Sequence, residues 1–239
     1  MFRNLRALRV RNIGRQRAVG AKSGVSRLKP DGRKDRRLPN RVLTMATRKG
    51  VTLNPVWRCV DFLDRIGIAT QERSGATGFL PGLAIVGGCI HFDDAVCTSA
   101  DLLHEAGHLA VLPSQWRPKA SGDLDTLFAE MFADTATNRL DPDCPAMRAL
   151  LQCGELEATA WAWAAGLHIG LVPNHIIQNN TYYNEDGTPG GADIRLALQC
   201  GAYAGINGLQ AAGWCAASSV IARHRGLPLY PKLRRWIQQ

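Results

Sequence analysis

Between Leu102 and Val111 the chain reads LLHEAGHLAV, an apolar run interrupted by His104, Glu105 and His108. A helix repeats about every 3.6 residues, so histidines four apart lie one turn apart on the same face, with Glu105 beside them. Thr98 and Ser99 are good N-cap residues, Asp101 suits the positive end of the helix dipole, and Pro113 closes the segment. A surface helix would carry Lys, Arg or more Glu at Ala106, Gly107, Leu109 and Ala110, and this one carries none. The HExxH spacing lets His104 and His108 share one Zn²⁺ at about 2.0–2.1 Å, with Glu105 directed at water on the metal.

The rest of the chain predicts a mainly α domain with a small β-hairpin or sheet (α+β), which together with HExxH resembles a zincin-like helical domain. Asn54 followed by Pro55 starts a helix whose apolar face is Val56, Cys59, Val60, Leu63 and Ile66, ending at Gly67. Leu83–Val86, Gly87-Gly88 and Cys89–Phe92 read as two strands on a glycine turn, leading toward the HExxH helix. Further helices are expected near Asp123 to Arg139, Pro142 to Cys153, Ala192 to Ala204 and Gly208 to Ala217. Residues 154–169, GELEATAWAWAAGLHI, hold no acidic or basic residue other than histidine after Glu157 and predict a helix buried at the centre.

A catalytic zinc needs a third protein ligand and keeps a fourth position for water. Glu155 opens the apolar helix, where coordination would compensate a buried carboxylate. Its face continues through Thr159, Ala162 and Gly166, small residues that would let it approach Gly107, whereas Glu157 lies over Trp161, Ala164 and His168. The rival is Glu130, with Asp134 one turn later; that E-x-x-A-D arrangement resembles the third-ligand helix of many gluzincin peptidases, in which the Asp orients a ligand histidine. The solvated neighbours of Glu130 are equally compatible with a plain exposed face.

HEAGH resembles a zincin motif. The longer pattern, from about Val56 to Ala217, resembles a group of uncharacterised bacterial proteins that share Phe79-Leu80-Pro81-Gly82, DLLHEAGHLAV, Gly154-Glu155 with Ala160-Trp161, and a segment like Gly205 to Gly213. In that group the glutamate six residues before the helix tryptophan recurs, which maps onto Glu155. The gap after HEAGH is often shorter there, so the helix carrying Glu130 resembles an insertion. The resemblance thus favours Glu155 and implies no activity of its own.

Charge divides the chain in two. Residues 1–50 hold 16 Lys and Arg against Asp31 and Asp35, a net of +14, while residues 51–239 hold 13 against 18 acids, a net of −5, which sums to the overall +9. The basic character therefore belongs to the tail, and nucleic-acid binding is not expected of the domain at 51–239. The tail's composition predicts disorder in isolation. It reads as a transit peptide poor in serine, as a polyanion-binding arm, or as translation from an upstream start with the functional protein beginning at Met45; the last is favoured because nothing ties the tail to the domain. No apolar run approaches a membrane span. Seven scattered cysteines without a C-x-x-C pair suit reduced thiols of a cytoplasmic protein. The sequence does not fix the oligomeric state.

The expected activity is zinc-dependent hydrolysis of a peptide or protein substrate, with zinc on His104, His108 and Glu155 and with Glu105 as general base. His175, Tyr182 and Tyr183 are weaker candidates for oxyanion donors, and His168 reads as a core residue. The alternative is a non-catalytic metal-binding or regulatory protein. An open groove exposing Glu105 beside a free strand edge in Leu83–Phe92 would favour the peptidase, and a covered face the alternative.

Overall fold

The first helix among the described residues, α1 (Pro55–Ile66), begins where Asn54 Oδ1 accepts the Val56 N–H at 3.1 Å and ends at Gly67, whose φ of 84° is left-handed. This computed structural model describes residues 54–134, 139–141 and 143–239. The basic segment at 1–50 and its three readings lie outside the described residues. Val56, Cys59, Phe62 and Leu63 form the buried face of α1, while Val60 and Ile66 are half-buried against the core.

Three strands follow: β1 (Thr70–Glu72), β2 (Leu83–Val86) and β3 (Cys89–Phe92). The sheet order is β1-β3-β2, with β1 parallel to β3 and β2 antiparallel to it. Gly87 and Gly88 have φ of 57° and 75°, the positive pair that a tight two-residue hairpin requires. The sequence reading found the hairpin and missed β1. Thr-Gln-Glu has no apolar alternation, and only its pairing with β3 makes it a strand.

The HExxH helix is α2 (Ser99–Val111), capped by Thr98 Oγ1, which accepts the Asp101 N–H at 3.1 Å. Every residue of α2 but Asp101 is buried. Four helices come next: α3 (Leu124–Ala133), α4 (Pro145–Leu151), α5 (Glu155–His168) and the short α6 (Pro173–Ile176). The last three are α7 (Gly191–Gln199), α8 (Ala204–Ala211) and α9 (Ser219–Arg225). The architecture is mainly helical with one small mixed sheet, as the sequence implied.

Several boundaries differ from the sequence reading. Helix α3 stops at Ala133, where Asp134 turns extended, and α4 starts at Pro145 because Cys144 Sγ accepts the Met147 N–H. Helix α7 stops at Gln199, just before the left-handed Gly201, and α8 occupies Ala204–Ala211 rather than the stretch beginning at Gly208.

Helix α5 lies at the centre, packed most extensively on α2 and then on α8. From Glu157 to Gly166 it is buried throughout. Small residues permit the approach: a Cβ on Gly107 would lie 2.5 Å from the Ala158 carbonyl oxygen, and one on Gly205 would collide with the Leu156 carbonyl. The contact at Gly107 thus falls on Ala158. Thr159 instead meets Tyr182, and Gly166 receives Ile176, because α6 and the loop after it share that face. Since the clashing atoms are helix backbone, Gly107→Ala and Gly205→Ala are expected to destabilise the fold by about 1–3 kcal/mol each. Chemical denaturation reads this directly, and unchanged midpoints would refute the close approach.

The final residues fold back over this pair. Gln238 donates its N–H to the Ala110 carbonyl at 2.8 Å and accepts from Arg117 Nη2 at 2.7 Å, while Trp161 Nε1 donates to the Trp236 carbonyl at 2.9 Å. His168 corrects the expectation of a core residue. It is exposed at the end of α5, with Phe62 and Trp236 beside it at centroid distances of 5.7 and 4.8 Å.

Candidate metal centre

Because α2 and α5 approach at Gly107, the side chains one turn away on α2 meet the first turn of α5. His104 Nε2 is 3.1 Å from Glu155 Oε1, His108 Nε2 is 3.2 Å from Glu155 Oε2, and the two Nε2 atoms are 3.2 Å apart. All three residues are buried, and together they form a group that can hold a metal ion. A tetrahedral ion with bonds of about 2.0–2.1 Å keeps its ligand atoms about 3.3–3.4 Å apart, so the observed spacing fits one.

The donor chemistry fits as well. His104 Nδ1 lies 3.2 Å from Tyr182 Oη, which is 3.1 Å from Thr159 Oγ1. With the Nδ1 proton given to Tyr182, Nε2 presents its lone pair toward His108 and Glu155. Burial pushes the Glu155 carboxyl up, yet His104 and then His108 outweigh it and hold the group well below the usual carboxylate range. A carboxylate ligates in its anionic form, and this downward shift favours that form.

The chain matches no family model, no curated protein and no solved structure. The reading of the site rests on its own geometry.

Glu130 is exposed on α3 and stands apart from the cluster. Glu157 is buried on α5, its carboxyl pushed up by burial, with the backbone N–H groups of Glu157 and Gly154 and then His108 pulling the other way. His108 Nδ1 is buried without a hydrogen-bond partner among the described residues. Of the loop candidates, Tyr182 reaches the site from behind His104, a supporting position rather than one facing a substrate. His175 is exposed and Tyr183 half-buried. Tyr203 went unnoticed in the sequence. Burial raises its hydroxyl's pKa, and it hydrogen-bonds Thr159, extending the polar chain behind His104; no spacing in the sequence marks it.

Two spaces adjoin the centre. A cavity of about 220 Å³ opens on His108 and Glu155 and is walled by Phe128, Leu150, Phe132 and Leu151. Phe132 and Leu151 are 43% and 53% exposed, so its rim presents apolar surface to water. On the other side, Glu105 is 9% exposed and shares only about 10 Å³ of free space with Leu80, Leu83 and Ile85. The edge of β2 is partly covered there, since Gly122 donates its N–H to the Ile85 carbonyl at 2.9 Å and Gly78 abuts Leu83 and Ala84.

The cysteines lie elsewhere in the chemistry. All seven are free thiols, and burial pushes Cys59, Cys97, Cys153 and Cys215 up to about 12, so these four stay protonated and unreactive.

The support behind His104 can be tested separately from the ligands. Tyr182→Phe keeps the ring and deletes the hydroxyl, and is expected to weaken metal binding about 10–100-fold. Competition against a chromophoric chelator measures it. An unaltered affinity would mean that the His104 ring is held by packing alone.

Proposed function

We propose that the domain is a zinc-dependent hydrolase of amide or peptide bonds acting in the cytoplasm, a compartment that keeps thiols such as its seven free ones reduced. The observation that carries this reading is the buried convergence of two imidazole nitrogens and one carboxylate within 3.1–3.2 Å, with Glu105 next along the helix. Two histidines and a glutamate are a donor set of catalytic zinc sites, which leave a fourth position open. A bound zinc there supplies Lewis acidity, polarising a carbonyl and acidifying water toward neutral pH.

The chain's own groups do the rest. Glu105 accepts the proton of the attacking water and returns it to the leaving nitrogen. Tyr182 and Thr159 hold the His104 ring in one tautomer. The apolar cavity beside His108 receives an apolar group of the substrate; its 220 Å³ exceeds the roughly 150 Å³ apolar cavity known to hold benzene. No described helix is long and apolar enough to cross a membrane, and the substrate class that suits this chemistry is a peptide or protein.

The covered edge of β2 favours a second reading, a metal-binding or regulatory protein without turnover. Metal analysis of purified protein together with mass spectrometry of a peptide library separates the two. The hydrolase reading expects about one equivalent of zinc and defined cleavage products. His104→Ala and His108→Ala are expected to lose the metal, because two remaining donors bind far more weakly. Stoichiometric zinc in both variants would remove the basis for the site, and zinc without cleavage would leave the second reading.

A further inference from the structure

Apart from the metal centre, α4, α8, α9 and the C-terminal segment enclose a larger cavity of about 780 Å³. Arg148, Arg225, Arg234 and Arg235 line it. Four of the 13 basic residues in 51–239 thus converge on one concavity of a region whose net charge is −5.

Asp134 also lines the cavity, so the four arginines outnumber the acidic side chains there, and they are poorly paired. Arg148 pairs only with the exposed Asp143 at 3.5 Å, and among the described residues no carboxylate lies within 4.0 Å of Arg225, Arg234 or Arg235. The remaining sequence offers little compensation. Residues 135–138 are Thr-Ala-Thr-Asn, residue 142 is Pro, and residues 1–53 hold 16 basic residues against two acids. Arg235 is stacked 5.2 Å from Trp214 and donates from Nη2 to the Ala212 carbonyl and Gln238 Oε1, but its Nε is buried without a partner. Burial, and then the neighbouring charge of Arg234, pull its pKa down.

We propose that this cavity binds a small organic polyanion carrying two or more phosphate or carboxylate groups. Arginine forks match such groups with paired hydrogen bonds. The volume falls within the roughly 300–1,000 Å³ of small-molecule sites, and Leu140, Leu150 and Leu227 offer an apolar wall for a carbon skeleton. A nucleic acid is disfavoured because its backbone would extend past the cavity over a net acidic body. The inference is independent of the hydrolase reading, although Leu150 lines both cavities.

Isothermal titration of the full chain with fructose 1,6-bisphosphate and with tricarballylate tests it. Binding of either at one per chain is expected, weakened at least tenfold in Arg225→Gln/Arg234→Gln, and the tighter probe identifies the phosphate or carboxylate class. Both arginines are exposed and their side chains make no hydrogen bond among the described residues, so the variant is expected to keep the wild-type melting temperature. The basic tail is present in every protein compared, so its contribution cancels. Absence of saturable binding by both probes, or equal affinity in the double variant, overturns the proposal. So does arginine-dependent binding of a single-stranded oligonucleotide that is tighter than either probe.

Discussion

Glu105→Gln is expected to keep the metal and lose hydrolysis by about 10²–10⁴-fold, the contribution of a positioned general base. The amide fills the same space at 9% exposure beside Leu80 and Ile85, so neither the helix nor its packing has reason to change. It cannot take a proton from water. Cleavage of library peptides and metal content are measured on the same preparation. Undiminished turnover with full metal would assign the base elsewhere.

Glu155→Gln is expected to weaken zinc binding by more than the 10–100-fold typical of residues that merely orient a ligand. A neutral amide is a poor zinc ligand, and the substitution removes the anion that both imidazoles hold. Glu130→Gln, on the exposed face of α3, is expected to leave the affinity unchanged. Loss in Glu130→Gln with retention in Glu155→Gln would reverse the assignment and turn α5 into plain core. Because Glu155 is buried between two imidazoles, its variant also shows whether the pair tolerates an uncharged neighbour; a folded, metal-poor protein is the expected product.

The legible parts of this chain are those whose local chemistry and tertiary role agree. Asn54, Pro55 and Gly67 bracket α1 by capping, and Gly87-Gly88 fixes the hairpin by backbone freedom. The HExxH spacing and the absence of charge after Glu157 mark two helices that must be covered. What could not be read is set by partners distant in sequence. The strand ending at Glu72 needs β3, whose paired residues lie 20 positions on, and the face of α5 that meets α2 was displaced to Ala158 because α6 takes up Gly166. The short helices α6 and α9 carry too few residues for a periodic signal. The cavity beside His108 is built from α3 and α4, helices whose Phe128, Phe132 and Leu151 look like ordinary apolar positions until His108 and Glu155 appear behind them.

The return of residues 236–238 across α2 and α5 sets an order of events during synthesis. The carbonyl of Ala110, two residues after His108, is closed by Gln238, and the central Trp161 gives its indole proton to Trp236. Neither bond can form while those residues are still inside the ribosome. A nascent chain that has already released His104, His108 and Glu155 therefore lacks the cover over the helices that hold them. Domains assemble as units once their parts are available, so this one is sealed only once residues 236–238 have emerged, and a chain without them loses the seal.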